Sequence, residues 1–157
     1  MLNRPVLVPS GAPIAVIAPS GAHNVERFEA GMQLARAAGL NPVSTPGMLQ
    51  PDRYLAAPDI VRLRQLQHAL SDPSIAAVWA ARGGYGLTRI LDRIDFEDVT
   101  RKAVIGFSDL TALFSALSGT RARCVHGPVV HSLPITDEAS IDHLARLLGG
   151  QPVEPLE

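Results

Sequence analysis

Little in this sequence points to a charged partner. The formal net charge is −1 over 157 residues, which leaves no electrostatic case for a nucleic acid or an anionic membrane surface. Lys102 is the one lysine among 14 basic residues, and the arginines are scattered rather than gathered in a stripe. The single cysteine, Cys124, excludes an internal disulfide and a cysteine-based metal cluster, and it reads as a small core residue. No apolar run reaches the roughly 18 residues that a membrane span needs. The first residues lack a charged start, a long apolar stretch and a small-residue cleavage site, so no signal peptide is read and the cytoplasm is the expected compartment.

What is present is a core. Hydrophobic residues make up 46% of the chain, enough for one ordered domain of this length. Short apolar runs alternate with helical patterns. PIAVIA at 13–18 reads as a strand. Asn24 reads as the cap of a helix with Val25, Phe28, Met32 and Ala35 buried, stopped at Gly39. A strand near 42–44 follows, then a helix over 59–70 with Ile60, Leu63, Leu66 and Leu70 on one face. IAAVWAA at 75–81 is apolar almost throughout, as a strand covered on both faces should be. RGGYG at 82–86 leads into a short helix toward Arg93. Residues 104–107 form a strand, 109–117 a helix, 123–125 a strand and 138–148 a last helix. The expected fold class is α/β: an open, mostly parallel sheet with helices on both faces, a flavodoxin- or Rossmann-like three-layer arrangement.

Sites in such sheets form at the carboxyl ends of the strands. Those ends carry Pro19-Ser20-Gly21, Arg82 to Gly86, Ser108-Asp109 and His126-Gly127-Pro128. Ser20, Arg82, Tyr85 and His126 are thereby candidates for holding a substrate. RGGYG could cradle a phosphate, stabilise an oxyanion, or simply turn the chain. It lacks the Lys-Ser/Thr pair of a P-loop and the third glycine of a dinucleotide fingerprint. Ser108 stands at a strand-to-helix corner. It is either a nucleophile on a sharp elbow, with Gly106 giving clearance, or an ordinary helix cap, a role that Asp109 could equally fill. Leu110 stands where that elbow has its second glycine, so the match is partial. His126 ends a strand on the same edge and could serve as a base, or pack in a supporting role.

Four segments carry a resemblance. PIAVIAPSG, LQHALSDPSIAAVWAARGGYG, VIGFSDLTAL and HGP occur in the order and approximate spacing of the LD-carboxypeptidases, the serine peptidase family of muramoyltetrapeptide carboxypeptidases and microcin self-immunity hydrolases. The chain resembles that family over residues 13 to about 130. The resemblance implies Ser108 as nucleophile, and an oxyanion hole made by the amide of Asp109 with that of Gly83 or Gly84. It implies cleavage between an L-centred diamino acid and a terminal D-alanine in cytoplasmic murein peptides, with no metal and no cofactor. Family members run to about twice this length, and their Glu and His partners lie in a second domain. Residues 1–150 are therefore expected to be the nucleophile-bearing N-terminal domain. Residues 151–157 read as the start of an inter-domain linker or an end introduced by cloning, with the Glu/His domain absent. The missing domain is the expected partner, and an edge left uncovered could pair copies into a homodimer. The alternative is a non-catalytic module binding a murein peptide or another small anionic ligand.

Overall fold

The computed structural model describes residues 5–153. Five strands form one sheet, all parallel, in the order β2-β1-β3-β4-β5. They are β1 (Pro13–Ile17), β2 (Asn41–Ser44), β3 (Ala77–Ala80), β4 (Ala103–Gly106) and β5 (Arg123–His126). The helices are α1 (Val25–Ala37), α2 (Asp59–Ser71), α3 (Leu110–Ala116) and α4 (Glu138–Leu148). From β1 the chain moves out to β2, then crosses back to β3 on the other side of β1. The crevice of such a sheet opens where that direction reverses, at the carboxyl ends of β1 and β3.

Both faces of the sheet are apolar, and the period of two divides them. Ile14, Val16, Ala77, Trp79, Ala103 and Ile105 pack with Phe28 and Met32 of α1 and with Ile141, Leu144 and Leu148 of α4. Ala15, Ile17, Val78, Ala80 and Val104 face the other way, onto Leu63, Leu66 and Leu70 of α2 and Leu110 and Leu113 of α3. Trp79 is fully buried, and its Nε1 donates to the Pro128 carbonyl at 2.7 Å. Lys102 is buried too. Its Nζ donates to the carbonyls of Ala69 (2.6 Å) and Asp72 (2.8 Å), satisfying acceptors at the end of α2. Burial lowers its pKa to about 8.

Several expectations need correction. Val25 and Ile60 are exposed, not part of the buried stripes. In α2 the buried face carries Arg62 and Gln65 instead, because those two turn toward the loops at the sheet edge. The helix expected toward Arg93 is two 3₁₀ turns, Leu87–Arg89 and Leu91–Arg93. A third 3₁₀ segment, Val130–Ile135, was not foreseen. It packs so closely on α1 that a Cβ at Gly31 would sit 2.1 Å from the Val130 carbonyl oxygen. Cys124 is exposed, because β5 is an edge strand with one neighbour. Residues 154–157 of the expected linker lie outside the described residues, whereas Gln151 bonds back to the Arg146 carbonyl.

Candidate active site

β4 ends at Gly106, which pairs in register with His126 of β5. There is no room for a side chain at Gly106: a Cβ would lie 2.9 Å from Leu110 Cγ and 3.3 Å from Ala80 Cβ. Three residues, Phe107 to Asp109, separate the end of β4 from the start of α3 at Leu110. The turn falls on Ser108, whose φ is +62°. A non-glycine residue there carries about 1–2 kcal/mol of strain. Ser108 is exposed, and among the described residues its hydroxyl makes no hydrogen bond. The capping alternative therefore finds no side-chain bond. Asp109, at the N-cap position, makes no capping bond to α3 either. Thr111 ties the corner instead, donating from its N–H (3.0 Å) and its hydroxyl (2.6 Å) to the Ser108 carbonyl.

The glycine loop after β3 lies against this serine. A Cβ on Gly83 would be 3.1 Å from Ser108 Cβ and 3.3 Å from its Oγ. Any side chain there would crowd the hydroxyl. Gly84 has φ +108°, and a Cβ on it would be 2.2 Å from the Tyr54 hydroxyl. Among the described residues, the amides of Gly83, Gly84 and Asp109 donate to no protein acceptor. Gly83, whose amide is free, thus lies beside the unpaired hydroxyl, and the free amide of Asp109 follows Ser108 directly in the chain.

The loop is held from below. Arg62 is fully buried. Its Nε donates to the Ala57 carbonyl at 3.0 Å and its Nη1 to the Gly86 carbonyl at 2.9 Å. The same guanidinium also bonds the Pro19 carbonyl and the Asp59 carboxylate. Asp59 in turn accepts from Arg89 at 2.8–3.1 Å. Sequence reading missed Arg62 and Tyr54. The signal for Arg62 was an arginine four residues before Leu66 on an apolar stripe. Tyr54 lies in an irregular loop and left no periodic signal.

The other candidates are spread along the same edge. Arg82 is half-buried; its guanidinium donates to the Ala22 carbonyl and lies 5.9 Å from the centre of the Tyr54 ring. Among the described residues no carboxylate comes within salt-bridge distance of it. Tyr85 is exposed. Ser20 is fully buried with its hydroxyl unpaired. His126 is exposed, its ring centre 6.3 Å from that of Phe107, and it makes no hydrogen bond to Ser108. Among the described residues no group of three His, Cys, Asp or Glu side chains is placed to hold a metal ion, and no helix is long and apolar enough to cross a membrane.

His23 sits behind the edge, 7% exposed, with its Nδ1 unpartnered. Burial, and secondarily the nearby His131 and Arg82, lower its pKa from 6.5 to about 4. Between those values the unfolded chain binds the proton and the folded one does not. The stability that a neutral His23 contributes is complete above about pH 6.5 and is lost as the pH falls toward 4. Thermal midpoints measured over that range should fall with pH, and His23→Phe should flatten the limb. An equally steep limb in the variant would contradict this.

Residues 14–127 match the family described as LD-carboxypeptidase N-terminal domain. The chain belongs to the LD-carboxypeptidase family. A Streptomyces coelicolor protein whose name reads "Putative carboxypeptidase" is 39% identical, over 98% of this chain and 56% of its own length. The murein tetrapeptide carboxypeptidase of Pseudomonas aeruginosa is 31% identical, over 87% of this chain and 49% of its own. The crystal structure of muramoyltetrapeptide carboxypeptidase from Oxalobacter formigenes superposes with a TM-score of 0.75 at 27% identity, covering 85% of this chain and 47% of that one. The chain spans about half the length of the curated relatives it matches.

Proposed function

We propose that this chain is the nucleophile-bearing N-terminal half of a cytoplasmic serine LD-carboxypeptidase that releases terminal D-alanine from murein tetrapeptides. The observation that carries the reading is Ser108: exposed, at φ +62°, with an unpaired hydroxyl beside Gly83, where an added side chain would press on it. A cap has no need of such a conformation, whereas a nucleophile on an elbow does. The P. aeruginosa relative's name supports the substrate class.

In this reading Ser108 Oγ attacks the carbonyl carbon of the scissile bond. Its proton passes through a base to the departing D-alanine amine as the C–N bond breaks, and water then cleaves the acyl-serine. The tetrahedral oxyanion is held by the amide of Asp109 and that of Gly83 or Gly84, all free of protein acceptors. Arg82 directly precedes Gly83 and has no acidic partner. It takes the substrate's terminal carboxylate, the feature a carboxypeptidase must recognise, with Tyr85 and His126 flanking. Acyl transfer of this kind balances with water alone and calls for neither metal nor cofactor. The base is assigned to a histidine, oriented by a glutamate, in the second half of a longer protein. That assignment is supported by the absence of any histidine bonded to Ser108 among the described residues and by the chain's half coverage of its relatives.

D-alanine release from murein tetrapeptide tests the reading. The complete gene product should release it, and the 157-residue chain alone should not. Robust release by the chain alone would move the base to His126. No release by the complete product, with tetrapeptide binding intact by calorimetry, would replace the enzyme with a binding module. Tyr54, Tyr85 and Phe107 stand exposed around the corner, an edge for the second half to cover. If copies of this chain cover it instead, light scattering will show a dimer.

A further inference from the structure

The peptide unit joining Gly86 to Leu87 is gripped at both ends. Its carbonyl oxygen accepts from Arg62 Nη1 at 2.9 Å, and its N–H donates to Asp109 Oδ2 at 2.9 Å. The two gripping groups come from opposite directions. Arg62 rises from α2 beneath the loop, fully buried and anchored on Asp59. Asp109 comes across from the corner after β4 and is the residue that follows Ser108. The grip also dictates Gly86, whose φ is +127° and on which a Cβ would lie 2.5 Å from Leu55 Cδ2 and 3.2 Å from Arg62 Nη1. Asp109, at the N-cap of α3, turns its side chain away from its own helix to reach this peptide.

We propose that this clamp sets the register of the glycine loop against the nucleophile corner, and that the Asp109 carboxylate is a positioning residue for the oxyanion donors. The inference rests on the reading of Ser108 given above. With the peptide plane fixed at both ends, Gly83 and Gly84 can neither lift from Ser108 nor rotate their amides away. Asp109 then acts twice: its own amide is one donor, and its carboxylate holds the loop that supplies the other. A misplaced donor weakens the transition state while leaving ground-state binding largely intact, so the signature is a fall in kcat with little change in KM.

The test uses the complete gene product and murein tetrapeptide. Asp109→Ala should lower kcat by about 10²-fold, with KM within about threefold of wild type. Asp109→Asn keeps an oxygen acceptor for the Leu87 amide and should stay within about tenfold of wild-type kcat. Amide exchange at Leu87 should quicken by at least about tenfold in Asp109→Ala and not in Asp109→Asn. Asp109→Ser, too short to reach Leu87, carries the same expectation should Asp109→Ala not fold. Wild-type kcat in Asp109→Ala, a loss confined to KM, or unchanged protection of Leu87 would each overturn the clamp. Exchange needs no turnover. An inactive wild-type protein in which Asp109→Ala still frees Leu87 would end the carboxypeptidase reading and leave the clamp standing.

Discussion

Ser108→Ala in the complete gene product is expected to reduce D-alanine release by on the order of 10⁶-fold, the scale found when a serine nucleophile is removed from a hydrolase triad. The fold should be untouched, since the hydroxyl makes no hydrogen bond among the described residues. Ser108→Gly separates strain from chemistry. Glycine adopts φ +62° without penalty, which removes about 1–2 kcal/mol of strain. Its greater freedom in the unfolded chain takes back about 0.5–1 kcal/mol. The glycine variant should therefore be as inactive as the alanine one yet more stable, by about 0.5–1 kcal/mol, or roughly 2 °C in thermal midpoint. Residual turnover in Ser108→Ala would remove Ser108 as nucleophile. A glycine variant less stable than wild type would show that the corner is not strained.

The second large effect is on stability. Arg62→Met should destabilise the chain by about 4 kcal/mol, lowering the midpoint by roughly 8–16 °C. Methionine fills much of the volume, and removing a buried charge relieves its desolvation. Against that, the carbonyls of Ala57 and Pro19 lose the only donor they have among the described residues, at about 1–3 kcal/mol each. Among the described residues, Gly86 loses one of two donors, and Asp59 keeps Arg89 alone. Arg62→Lys should recover part of the loss, because one ammonium cannot reach acceptors spread around a planar fork. The network also has an acid limb. Hydrogen bonds from Arg89, and secondarily Arg62, hold the Asp59 carboxyl below its ordinary range. Its contribution is therefore present above the unfolded pKa, roughly 3.9, and is lost as the pH falls through the lower folded value. Denaturant midpoints for the two variants decide the matter: an Arg62→Met chain as stable as wild type would mean the carbonyls find water instead.

How much of this could be read beforehand varies by element. α4 was legible to the residue, because Asp137 caps it and its apolar positions repeat cleanly. The Asn24 cap of α1 was equally plain, its side chain accepting from the Arg27 amide at 2.8 Å. Val25 was misplaced because it sits in the first turn, where the apolar spacing continues but the sheet does not. Cys124 was misplaced because periodicity marks a strand without saying whether it lies at an edge.

Residue spacing alone made legible the alternation of strands and helices, the four polar corners at the strand ends, and the family to which the Gly-Phe-Ser-Asp corner and the Arg-Gly-Gly-Tyr-Gly loop belong. These are local facts, written in spacing and in residue types that allow few conformations. The backbone angle of Ser108 and the surroundings of its hydroxyl, by which a nucleophile and a cap would differ, are visible only once the chain is folded. The tertiary structure alone placed Arg62 under Gly86 and Asp109 across from Leu87, 24 and 22 residues apart in sequence. Contacts that distant arise because α2 packs on a face of the sheet in which β3 and β4 are neighbours, and no window along the chain contains them.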